Sequence, residues 1–263
     1  MSLFITGTDT GVGKTHVTSA LFRELRRQGV AAAAFKPIAC GPGGREDARQ
    51  FARLMDNEIP LDIINPISLR RPLAPSVSAK LERKHIDLDA IHSAFRMLSS
   101  VFSPVLVEGA GGLLVPIKRN YFVADLIREM KLPVVIVSRL SLGTINHTLL
   151  TVRQAQAMGL RVAGIILNDT LGRRGLAERT NIKVVPEVSG IPLLGIVPHA
   201  RQPDVEQHRM ACPDGDDIAV YDGVPGQAQE FENPDRITAD HQRRNCHKAE
   251  KNRETCQNRH RPD

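Results

Sequence analysis

Leu3-Phe4-Ile5-Thr6-Gly7-Thr8-Asp9-Thr10-Gly11-Val12-Gly13-Lys14-Thr15 is a short apolar run that breaks into a glycine-rich turn, and an amphipathic stretch from His16 to Arg27 follows directly. A strand, a glycine turn and a helix in that order leave consecutive backbone N–H groups facing one concavity at the positive end of the helix dipole. That geometry binds phosphate. Lys14 is placed to reach β- and γ-phosphoryl oxygens, and the Thr15 hydroxyl to meet a Mg²⁺ that bridges them. The generic pattern G-x-x-x-x-G-K-[ST] has its first glycine where this chain has Thr8; the glycine stands one residue earlier, at Gly7. The candidate phosphate-binding residues are Thr10, Gly11, Val12, Gly13, Lys14 and Thr15.

Downstream, Gly29 reads as the stop of the first helix, and Val30 to Phe35 as a short buried strand that ends at Lys36-Pro37. A lysine where a parallel strand leaves the sheet lies on the edge at which such folds bind ligands. Cys40 to Gly44 reads as a loop, and Glu46 to Met55 have helical periodicity with Asp47 in the first turn. Pro66 to Pro75 reads as an irregular connection, and helical patterns follow near Val77 to Lys84 and from Asp87, its cap, to Leu98.

Pro104-Val105-Leu106-Val107-Glu108-Gly109-Ala110-Gly111-Gly112 is an apolar strand ending in an acid and then glycine-rich backbone, an arrangement like that in which a Walker-B carboxylate holds Mg²⁺. A helix from Phe122 to Met130 and a strand from Leu132 to Val137 come next. Ser141-Leu142-Gly143-Thr144-Ile145-Asn146-His147 then opens a helix reaching about Met158, and its exposed N–H groups at Gly143 and Thr144 form a second candidate anion site. His147 reads as a helix residue bonded to a neighbouring carbonyl rather than a catalytic group. Arg161 to Leu167 and Pro192 to Pro198 are the last strands. Asn168, with a donor and an acceptor edge, suits either adenine or an Asx turn.

Alternating helices and unbroken apolar strands predict an α/β fold of the P-loop NTPase kind, a doubly wound, mostly parallel sheet with helices on both faces. Of 263 residues 41% are apolar, enough for a large core; with no Trp and two Tyr, no stacking surface for single-stranded nucleic acid is expected. The net charge of +6 is uneven, with 25 Lys and Arg against 16 Asp and Glu up to residue 200 and 10 against 13 beyond it. A basic body suits anionic small molecules. Asp9 and Lys14 interrupt the first apolar run, so no secretory signal or membrane span is expected there, and a cytoplasmic protein without membrane or nucleic-acid partners is.

Residues 1–200 are read as the P-loop ATP-binding domain, and 201–263 as a polar tail, disordered or atypical, that lacks the apolar content to offset its ordering entropy. The tail's Cys212, Cys246, Cys256 and four histidines match no common zinc spacing.

Five stretches, the Gly7–Thr15 loop, Lys36-Pro37, Val107–Gly112, Leu142–His147 and Gly164–Asp169, together resemble the dethiobiotin synthetase family over most of residues 3 to 198. The resemblance implies a homodimeric enzyme that joins CO₂ and 7,8-diaminononanoate, with ATP and Mg²⁺, into dethiobiotin through a carbamate and a carbamic-phosphoric anhydride, which makes residues 1–200 the carboxylating domain. By the same likeness Lys36 and Lys14 are catalytic, and Thr15, Asp47 and Glu108 hold Mg²⁺. Asn168 contacts adenine, and Cys40, Gly143, Thr144 and Asn146 bind substrate, the last three from the partner subunit. Cys40 stands where the family carries Ser or Thr, and the residues from Arg201 do not resemble the family's closing segment. Two other classes share the core: partitioning or positioning ATPases, which carry an extra lysine where this chain has Asp9, and cobyrinate-type synthetases, which add a glutaminase domain.

Overall fold

A computed structural model describes residues 1–42, 45–172 and 175–199, so the tail expected from residue 201 lies outside the described residues. In chain order the elements are β1 (Leu3–Gly7), α1 (Lys14–Arg27), β2 (Ala33–Phe35), β3 (Ile38–Cys40), α2 (Glu46–Leu54), α3 (Leu61–Ile64), β4 (Ile67–Leu69), α4 (Pro75–Glu82), α5 (Leu88–Val101), β5 (Val105–Gly112), β6 (Pro116–Lys118), β7 (Tyr121–Phe122), α6 (Val123–Met130), β8 (Val134–Arg139), α7 (Thr144–Ala157), β9 (Val162–Asn168), α8 (Leu176–Ser189) and β10 (Leu193–Val197).

The main sheet has six strands in the order β10-β9-β8-β1-β5-β2, and every pairing in it is parallel. Successive strand side chains point to opposite faces. Val134 to Val137 are nonetheless all at most 1% exposed, and Val105, Leu106 and Val107 are fully buried, so both faces of the sheet are covered. This is the doubly wound arrangement the unbroken apolar runs imply. β1 is central, with Ile5 in register with Glu108 on one side and Val135 on the other. The chain fills one side of β1 with β2 and β5 and then crosses to the other with β8. That is a topological switch point, beyond whose carboxyl edge such sheets bind ligands.

Local differences from the sequence reading have physical causes. β2 is three residues rather than six, because Val30 to Ala32 serve the turn out of α1, where the Val30 N–H donates to the Leu25 carbonyl and the Ala32 N–H to Val30. The connection expected to be irregular holds β4, which pairs in parallel with β3 as a separate ribbon. Ile67 and Leu69 go into the core while Ser68 does not, a period of two too short to stand out. α8 gave no clear signal because Pro186 sits inside it. β5 does not stop at Glu108 but runs on through Gly112, so the carboxylate lies within the strand and is fully buried. Asp87 caps α5 as expected, its Oδ1 accepting from the Ala90 N–H at 3.1 Å. No helix among the described residues is long and apolar enough to cross a membrane.

Candidate active site

The glycine-rich turn after β1 wraps the start of α1, and its shape explains the displaced glycine. A Cβ on Gly7 would lie 2.8 Å from a Val12 methyl and 3.1 Å from the Lys14 ammonium, so the chain has no room there for a side chain. Gly11 and Gly13 have φ of 72° and 88°, the left-handed region that glycine adopts without strain. Lys14 is buried and its Nζ donates to the Asp9 carbonyl at 3.2 Å, while the Thr10 N–H donates to Asp9 Oδ1 at 2.6 Å. Burial, reinforced by the nearby Lys36 ammonium, brings Lys14 down to about 8 despite the opposing pull of Glu108, Asp47 and Asp9.

Lys36, where β2 ends, is the centre of the site. Its ammonium bonds Glu108 Oε1 and lies 3.0 Å from Asp47 Oδ2; its side chain is 6% exposed and that of Glu108 1%. Thr15 Oγ1 donates to the same Glu108 oxygen at 2.9 Å. So Thr15, Lys36, Asp47 and Glu108, from four separate elements or their ends, meet beside the loop. Burial alone would lower the Lys36 pKa, yet Glu108 and Asp47 outweigh it and raise the group above its ordinary value. The Asp47 carboxyl, which burial would raise, is held below the usual range by Lys36, Thr15 and Lys14.

The neighbours that hold this cluster include residues the motif reading passed over. Asn65 Nδ2 donates to the Lys36 carbonyl at 2.7 Å and to Ile67 at 3.0 Å, and the Lys36 N–H donates to Ile64 at 2.8 Å. The chain around Lys36 is thereby fixed by Ile64 and Asn65, just before the stretch expected to be irregular. Gln50 Nε2 donates to Ser19 Oγ at 2.9 Å and ties α2, hence Asp47, to α1. An isolated Asn or Gln has no signature in a single sequence, so neither could have been found by motif.

Glu108 Oε2 is buried and has no hydrogen-bond partner among the described residues. A buried carboxylate oxygen left unpaired next to a threonine hydroxyl and a second carboxylate suits a hard divalent cation with oxygen ligands. No group of three or more His, Cys, Asp or Glu side chains gathers among the described residues, so an ion here would share its coordination with other oxygen donors, as Mg²⁺ does with phosphates.

The other expected residues fall in three places. Asn168, at the end of β9, is buried against the loop and its Nδ2 donates to the Val12 carbonyl at 2.9 Å. Cys40 closes β3; burial pushes its thiol up to about 11, against the lowering effect of Lys36. Gly143 (φ 90°) and Asn146 are exposed at the start of α7. Thr144 is not free in the same way. Its N–H donates to the Ser141 carbonyl at 3.2 Å, and its hydroxyl lies 2.6 Å from Ser138 Oγ in a buried network that Thr148, at 2.8 Å, and Thr8, at 3.4 Å, also join. Thr144 therefore anchors α7 to β8 and the loop, and Gly143 and Asn146 are the exposed members of the set. His147 is exposed on the same turn.

A family model described as an AAA domain matches residues 1–208. The ATP-dependent dethiobiotin synthetase BioD of Bacillus licheniformis is 39% identical over 220 residues, 82% of this chain and 94% of the relative. That of Thermodesulfovibrio yellowstonii is 41% identical over 74% of this chain and 88% of its own, and that of Anaeromyxobacter dehalogenans 46% identical over 64% and 76%. Among solved structures, the MinD cell division protein of Aquifex aeolicus aligns with a TM-score of 0.47 at 16% identity, covering 76% of this chain and 83% of that one. With a lysine, two carboxylates and a threonine assembled at a phosphate loop, and with identity of this extent along nearly whole relatives, the chain belongs to the dethiobiotin synthetase family.

Proposed function

We propose that the protein closes the ureido ring of dethiobiotin from 7,8-diaminononanoate and CO₂, releasing ADP and phosphate from ATP. The observation that carries this reading is the buried Lys36 ammonium between Glu108 and Asp47, beside a phosphate loop. The relatives at 39–46% identity are synthetases, so the partitioning-type and cobyrinate-type alternatives have nothing specific in their favour.

In this mechanism one substrate amine adds to CO₂ and loses a proton, giving a carbamate. A carbamate oxygen attacks the γ-phosphorus of ATP as the bond to the bridging oxygen of ADP breaks. The second amine then attacks the carbonyl carbon of the mixed anhydride and gives up a proton, phosphate leaves with the electrons of the C–O bond, and the ring closes. Lys36, whose raised pKa keeps it charged, sets a fixed positive charge against the carbamate and the developing phosphoryl oxygens. Lys14 exchanges its contact with the Asp9 carbonyl for phosphoryl oxygens, and the N–H groups of Gly11, Val12 and Gly13 cradle them. Thr15, Asp47 and Glu108 would hold Mg²⁺, which when bound neutralises charge on the β- and γ-phosphoryl oxygens. Asn168, held beside the loop by its bond to the Val12 carbonyl, would contact adenine.

A cavity of about 360 Å³ adjoins Thr8, Asp9 and Thr10, and its walls of Leu113, Leu114, Val115 and Leu150 suit the alkyl chain of the diamine. Leu142, Leu150 and Leu114, 87%, 62% and 50% exposed, support a homodimer that covers them, with Gly143 and Asn146 meeting the substrate carboxylate across the interface. In this reading residues 1–200 are the catalytic unit and the enzyme works in the cytoplasm. Formation of dethiobiotin from the purified protein, diamine, bicarbonate and MgATP is the test. ATP cleavage that ignored the diamine would overturn the assignment.

A further inference from the structure

Arg139 is the last residue of β8 and pairs in register with Asn168 of β9. Both side chains reach the phosphate loop, and both do so through its carbonyls: an Arg139 guanidinium nitrogen donates to the Thr10 carbonyl at 2.9 Å, and Asn168 to the Val12 carbonyl. The two contacts are two residues apart along the loop and come from adjacent strand ends. Across a planar trans peptide the C=O and the following N–H point in opposite directions. Drawing the Thr10 carbonyl toward Arg139 therefore turns the Gly11 N–H the other way, and drawing the Val12 carbonyl toward Asn168 does the same for Gly13. Both glycines have positive φ, and glycine at such positions has several other conformations within easy reach, so something outside the loop must choose one. The guanidinium also sits close over Gly11, 3.5 Å from where a Cβ would stand.

We propose that Arg139 is a positioning residue of the phosphate loop, fixing the Thr10–Gly11 peptide so that its N–H faces the phosphates before nucleotide arrives. This extends the nucleotide-binding reading and rests on it only for the affinity measurement below. An anion cradle set in advance need not be ordered by its ligand, and that is what gives oriented backbone donors their strength. The sequence gives no hint of it, because an arginine at a strand end looks like any surface charge.

The test compares wild type with Arg139→Ala and Arg139→Lys in the full chain. Backbone ¹⁵N relaxation of residues 10–13 is followed by NMR without nucleotide, and MgADP affinity is measured by calorimetry. Arg139→Ala is expected to lower the Gly11 order parameter from about 0.85 toward about 0.6 and weaken MgADP about tenfold, and Arg139→Lys, which keeps a donor for the carbonyl, to recover part of both. Unchanged loop order in Arg139→Ala overturns the proposal, even if MgADP weakens, since the guanidinium would then act on the phosphates directly. Wild type that failed to bind MgADP would instead remove the nucleotide reading, leaving the relaxation result to decide the role of Arg139 by itself.

Discussion

Replacing Lys36 by methionine keeps the volume and apolar stem of the side chain and removes its charge. Glu108, with a side chain 1% exposed, then keeps a buried negative charge whose ammonium partner is gone, while Asp47, 43% exposed, can turn to water. Breaking a buried ion pair on one side costs about 3–5 kcal/mol, chiefly because a charge is stranded. For a unit of this size that amounts to a fall in Tm of roughly 6–20 °C. Adding Glu108→Gln removes the stranded charge yet leaves a side-chain oxygen to accept from Thr15, so the double variant is expected to be more stable than Lys36→Met alone by about 2 kcal/mol or more. Urea unfolding of the wild type, both single variants and the double variant, all without divalent ions, gives the coupling. Lys36→Met alone, which leaves the phosphate loop and the carboxylates in place, is expected to bind MgADP and make no dethiobiotin. Effects of the two substitutions that simply add, within about 0.5 kcal/mol, would refute the claim that the pair is held together by mutual charge compensation, and normal turnover by Lys36→Met would remove Lys36 from the mechanism.

Gly13→Ala puts a methyl 2.0 Å from Asn168 Nδ2 at a φ of 88°, so MgADP affinity measured by calorimetry is expected to fall at least about tenfold with the fold retained by circular dichroism. The Cys40 thiol, pushed up to about 11 by burial, should react with iodoacetamide at pH 8 on the order of 100 times more slowly than an ordinary thiol and accelerate only toward pH 11; mass spectrometry of the Cys40 peptide reads this, and rapid labelling at pH 8 would contradict the burial. Glu82 resists the raising effect of its partial burial because Ser78 and the N–H groups of Arg71 and Arg70 donate to it, bringing its carboxyl down to about 2. A carboxyl depressed in the folded state stabilises above its unfolded pKa and loses that contribution as pH falls through the folded value. Acid titration of stability should therefore show Glu82→Gln losing less than wild type between about pH 4.5 and 2.

The centre of the molecule was legible in the chain because chemistry and periodicity coincide there. The Gly7–Thr15 turn announces itself by glycine spacing, and β5, β8 and β9 by apolar runs that only a doubly covered sheet requires. Lys36, Asp47 and Glu108 could be nominated separately because each stands at a strand exit, a helix start or an apolar strand. What could not be read is how they are held. β3 and β4 are three residues each, below the length at which alternation separates from chance, and the Asn65 contacts that fix Lys36 join segments 29 residues apart in sequence. Thr144 was legible as a helix start but not as part of a buried hydroxyl network, since its partner Ser138 lies six residues back on β8, and Thr8, which bonds Ser138, is brought near only by the pairing of β8 with β1.

The central place of β1 has a bearing on how the chain is made. Both of its hydrogen-bonding neighbours, β5 and β8, begin about a hundred or more residues later, at Val105 and Val134. At translation rates of about 5–20 residues per second, an apolar strand at the heart of the protein waits on the order of 5 to 20 seconds for the first of them. A nascent chain arrested before Arg139 has an unclosed sheet and an unpaired edge on β1, a natural client for a chaperone and a poor substrate for spontaneous assembly.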